Sequence, residues 1–165
     1  MFLFRPEVQK LNSSKYVYLR EISEPRDNSL CLVVQQAVEN PSGVVRLSPL
    51  PGINKLLEGS VPIGSTEACE SSKLLWKSYI AYSVTEECVG SCGSYDDEVY
   101  EGAVIRVYKR SYFLDHPPRD TGGHTDAIGH YKIICLNHLI DVASYAPPVV
   151  ECFGLSAPSQ EQRIH

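Results

Sequence analysis

The chain has 165 residues, 43% of them hydrophobic and 21% charged, proportions that match ordinary globular domains and exclude disorder or a fibrous repeat. Its 15 Lys plus Arg against 20 Asp plus Glu give a net charge of −5, which argues against nucleic acid as the main partner, because phosphate binding needs clustered cations. No stretch approaches the ~18 consecutive apolar residues of a membrane span, and the opening Met1-Phe2-Leu3-Phe4-Arg5-Pro6 has no basic leader or cleavage site, so a soluble, cytoplasmic protein without a membrane partner is expected.

The β-favouring run Tyr16-Val17-Tyr18-Leu19 predicts a first short strand, closed by Glu24-Pro25-Arg26-Asp27-Asn28. Leu30 to Val38 is apolar on both alternating faces, the pattern of a central strand covered on both sides. It stops at Asn40-Pro41-Ser42-Gly43, a turn by composition, after which Val44 to Leu47 predicts a further short strand. Ser48 to Ser72 holds four prolines and glycines around Pro49–Gly59 and two more at Pro62 and Gly64. It reads as a covering loop, with one or two helical turns over Ile53 to Glu58.

Leu74 to Val84 and Gly102 to Phe113 alternate β-branched and aromatic residues with polar ones, as pleated strands do. They are expected to form an antiparallel pair joined by the loop Glu86 to Glu98. A second loop, Asp115 to Gly129, leads into the apolar run His130 to Val142, and Val149-Val150 predicts a last edge strand. The expected fold is therefore mainly β: a single curved antiparallel sheet forming a barrel or sandwich, with one or two short helices. One globular domain is expected over 1–154, with a flexible tail over 155–165.

Six cysteines, Cys31, Cys69, Cys88, Cys92, Cys135 and Cys152, are expected as free thiols, because a domain of this length does not depend on disulfide staples and Cys31 and Cys135 lie in apolar strands. Cys88-Val89-Gly90-Ser91-Cys92 precedes Asp96, Asp97 and Glu98, acids that raise a thiol's pKa rather than activate it. His116, His124, His130 and His138, with Cys135, Asp126 and Asp141, are all metal-ligand types, but their spacing matches no zinc signature, and no cofactor or metal is assigned. Asp120-Thr121-Gly122 lacks the flanking hydrophobic strands of an aspartic-protease turn and reads as loop chemistry.

Tyrosines outnumber phenylalanines ten to four, and tyrosine is enriched where one end of a side chain is dry and the other wet. Tyr108 and Tyr112 share a predicted strand face with Arg106 and Arg110, a stripe suited to binding another protein. The leading expectation is a non-enzymatic soluble protein-interaction domain. The alternative is a small-ligand-binding protein or an enzyme with a pocket between the 86–98 and 115–129 loops, using His116, His124 or the polar pair Asn137-His138.

Overall fold

The computed structural model describes residues 1–40, 60–90, 97–115 and 128–154. These are mainly β, in two antiparallel sheets. The first holds β1 (Tyr16–Ser23), β2 (Leu30–Glu39), β4 (Ser71–Trp76) and β10 (Val149–Phe153) in the order β1-β2-β4-β10, with β3 (Ile63–Gly64) also paired to β2. The second holds β5 (Ala81–Glu86), β6 (Val99–Glu101), β7 (Ile105–Arg110), β8 (Gly129–Ile134) and β9 (His138–Ser144) in the order β5-β9-β8-β7-β6. The expected single sheet is thus replaced by two open ones, neither closed into a barrel.

Three sequence readings change with it. Leu74 to Val84 is two strands in different sheets. The chain leaves the first sheet at residues 77–80, where the Tyr79 N–H donates to the Asn28 carbonyl and the Ile80 N–H to the Ala143 carbonyl. The expected pairing of 74–84 with 102–113 is absent, because β9 and β8 lie between β5 and β7. His130 to Val142 is a hairpin rather than one strand, so His130 and His138 sit on neighbouring strands, and Cys135 and His138 flank the turn. The predicted strand Val44–Leu47, the helical turns at 53–58 and the tail 155–165 lie outside the described residues.

A helix that the β pattern concealed, α1 (Pro6–Asn12), starts with proline at its first position and buries Val8 and Leu11; proline's fixed φ suits that position. A single turn, α2 (Glu87–Gly90), follows β5. One core joins the two sheets: Val17, Leu30, Leu32, Val34, Leu74 and Trp76 from the first pack with Ile105, Tyr131, Ile133, Ile140 and Val142 from the second. Register explains the choice of face. Leu30 opposes Trp76 and Leu32 opposes Leu74, while Ile105 opposes Ile133 and Ile133 opposes Ile140, so each inner face is a continuous apolar row.

Two polar side chains fix the assembly. The Asn137 amide, in the β8–β9 turn, accepts from the Leu19 N–H at 2.9 Å and donates to the Leu19 carbonyl at 3.0 Å, next to a register shift in β1 between Leu19 and Glu21. The Leu136 N–H donates to Val17 nearby. At the other end, Asn12 accepts from the N–H groups of Ala103 and Ile105 at 3.1 and 2.9 Å, tying α1 to the β6–β7 turn. No helix among the described residues is long and apolar enough to cross a membrane. Cys31, Cys69, Cys135 and Cys152 are free thiols; burial pushes the Cys135 thiol up to about 12.

Candidate functional site

The outer face of the second sheet carries three of the singled-out residues, Arg106, Tyr108 and Arg110. Across its strands, Arg106 is in register with Lys132 and Lys132 with Asp141, while Tyr108 is in register with Tyr100 and with His130. Paired residues of an antiparallel ladder point to the same side, so these groups form two adjoining rows. The rows are in contact as well as in register. The Arg106 guanidinium lies 4.4 Å above the Tyr100 ring, Tyr100 is 5.2 Å from Tyr108, and Tyr108 stacks on His130 at 4.2 Å. Phe113, in a 3-10 turn after β7, is 4.9 Å from the same imidazole.

A relay of hydrogen bonds holds this stack. Ser111 Oγ is 2.6 Å from His130 Nδ1, and His130 Nε2 is 2.9 Å from Asp141 Oδ1. Asp141 Oδ1 is also 3.3 Å from Lys132 Nζ. With Nε2–H donating to the carboxylate, Nδ1 faces the Ser111 hydroxyl as its second partner. Ser111 Oγ accepts in turn from the Phe113 N–H at 3.1 Å. His130 is only 1% exposed, and its burial is tolerated because both ring nitrogens have partners.

The predicted site residues divide accordingly. Tyr108 is buried within the stack, and burial pushes its phenol up while Arg106 pulls it down. Arg110 is exposed and pairs with Asp97 at 3.3 Å. Tyr112 lies beyond the end of β7; its hydroxyl donates to Asp97 at 3.2 Å and its N–H to Glu98 at 3.0 Å, and the Asp97 carboxylate pushes its pKa up. Asn137 is engaged with β1 as described. His138 lies in register with Glu86, three residues from Asp141 on one strand and so on the opposite face; its Nδ1 is buried without a hydrogen-bond partner among the described residues. His116 and His124 lie outside the described residues, as do Cys92, Asp120-Thr121-Gly122, Asp126 and most of the two loops expected to frame a pocket. Among the described residues no three His, Cys, Asp or Glu side chains converge as a metal-ligand set.

No family model, curated protein or solved structure matches this chain.

Sequence reasoning missed Ser111, Tyr100 and the pairing of His130 with Asp141. A hairpin turn at 135–137 sets Asp141 opposite Lys132 and diagonal to His130 on the same face, and the apolar run over that turn hid it. Tyr100 belongs to a strand of only three residues, all exposed, which gives no alternation to detect.

Proposed function

We propose that this chain is a non-enzymatic protein-interaction domain, built as a sandwich of the two sheets, that recognises another protein through the outer face of the second sheet around Tyr100, Arg106 and Arg110. One observation carries this reading. Tyr100 is 43% exposed yet already ordered, with the Arg106 guanidinium over its ring and Tyr108 beside it. An exposed aromatic fixed in place loses little side-chain entropy on binding, and tyrosine and arginine dominate interface hot spots. Edge strand β6 adds Val99, 50% exposed. The net charge of −5 favours a protein over nucleic acid as partner. The buried thiols Cys31 and Cys135 suit a reducing, cytoplasmic setting.

The test is affinity capture from the native host with the wild type, Tyr100→Ala and Tyr82→Ala, an exposed tyrosine on β5 at the far edge of the sheet. A hot-spot loss of about 2 kcal/mol or more would lower recovery of the partner ~30-fold for Tyr100→Ala and leave Tyr82→Ala unchanged, with both variants folded. Equal recovery by all three defeats the reading.

The relay supports a second reading. In an acyl-transfer enzyme Ser111 would attack and His130 would take its proton at Nδ1 while Asp141 holds the ring. Against it, Ser111 Oγ already accepts the Phe113 N–H and the imidazole is stacked between Tyr108 and Phe113, which makes the relay a structural lock. Covalent labelling of Ser111 by a fluorophosphonate in the folded protein, abolished by denaturation, would reverse that order.

A further inference from the structure

The outer face of the first sheet, on the far side of the core, carries a hollow of about 770 Å³, a size within the range of small-molecule sites. Its floor is two cross-strand rows, Ser23–Cys31–Leu75 and Glu21–Val33–Lys73, read directly from the register of β1, β2 and β4. One wall is the β1–β2 connection with Pro25, Arg26 and Ser29, and Lys77 stands at the end of β4. That wall is built rigidly. The buried Ser29 hydroxyl donates to the Arg26 carbonyl at 2.8 Å and accepts the Arg26 N–H at 2.9 Å, and Asn28 turns the chain with φ +60°.

The charge of this hollow opposes that of the chain. Arg26, Lys73 and Lys77 line it against the single carboxylate Glu21, with Glu151 next to Lys73 in register. None of the three cations has an ion-pair partner within 4 Å among the described residues, whereas Lys10, Lys15, Lys109, Arg110 and Lys132 are all paired. Between the cations the lining is apolar: Val33, Leu75, Pro25 and the Cys31 thiol.

We propose that this hollow binds a small amphipathic organic anion, an alkyl or aryl carboxylate whose apolar body lies on Val33, Leu75 and Cys31 and whose head is held by Lys73, Lys77 and Arg26. Apolar lining with a few convergent polar groups is the usual composition of such sites, and a mobile lysine ammonium reaches a carboxylate as a point charge. The site stands on the opposite sheet from the proposed protein-binding face and does not depend on it.

The experiment uses the full chain with two probes, decanoate and inorganic phosphate, read by calorimetry. Decanoate is expected to bind one to one, at least ~10-fold more weakly in Lys73→Ala/Lys77→Ala and unchanged in Arg110→Ala on the other sheet. Phosphate is expected not to compete. Hydrogen exchange of the unaltered protein gives a readout independent of the variants: decanoate is expected to slow exchange within residues 21–33 and 71–77. No binding of decanoate, equal binding by the double variant, protection elsewhere, or competition by phosphate alone would each overturn the proposal.

Discussion

Tyr79 shows how one side chain carries a pH dependence. Its hydroxyl donates to Glu24 Oε1 at 2.7 Å, and Tyr82 donates to the same oxygen at 3.2 Å, with the two rings edge to face at 5.0 Å. A phenolate would forfeit the bond and face the carboxylate, so the Tyr79 phenol is pushed up to about 12, chiefly by the hydrogen bond to Glu24. The unfolded phenol titrates near ~10. The native state therefore holds the proton more tightly, and its contribution is complete below about pH 10 and lost as pH rises towards about 12. Tyr79→Phe removes that contribution. Urea midpoints should fall less steeply for the variant than for the wild type across that window; parallel slopes would show that Glu24 does not hold the phenol. Composition signalled that tyrosines matter in this chain, but not that Glu24 gathers two of them from a turn 55 residues away.

The strands themselves were legible element by element wherever side chains alternate. β1, β2, β7 and the edge position of β10 follow from period and composition, because a half-buried pleated surface imposes them. The sheet change at residues 77–80 was not legible. A two-residue rhythm records which face a side chain occupies and carries no mark of which sheet the strand joins. α1 was missed because a helix of seven residues offers only Val8 and Leu11 as its buried stripe. The β6–β7 connection is where one position decides an element. Gly102 has φ +102°, and a Cβ there would lie 2.1 Å from the Ile105 carbonyl oxygen. Gly102→Ala should cost about 1–3 kcal/mol and lower the thermal midpoint by roughly 2–4 °C per kcal/mol. A melt equal to that of the wild type would mean the turn can re-form without its left-handed residue.

Across the whole molecule, the two sheets behave as one unit because their inner faces share one core and Asn137 staples the β8–β9 turn to β1. The sequence marked Asn137 and His138 as the polar pair in an apolar run, and structural hydrogen bonding accounts for Asn137. Its amide satisfies both backbone groups of Leu19. Asn137→Ala leaves them unpaired and should cost about 1–3 kcal/mol. Unfolding should nonetheless remain a single transition, with the fluorescence of Trp76, the only tryptophan and part of the shared core, tracing the same curve as far-ultraviolet circular dichroism. Two separated curves would show that the sheets come apart independently.

The strand order has a consequence for a chain made from its first residue onward. β1 and β2 can pair as soon as both have emerged, but among the described residues β5 pairs only with β9, and β4 gains its second neighbour only with β10. Closing such distant pairs is slow, because the entropy of a long loop must be spent before its contacts return anything. During synthesis the apolar row of β4, Leu74 and Trp76, and the unpaired backbone of β5 therefore wait, half-matched, for the last strands to arrive. The interval between the making of residue 86 and that of residue 144 is the stretch in which a growing chain of this topology is most open to mispairing with its neighbours.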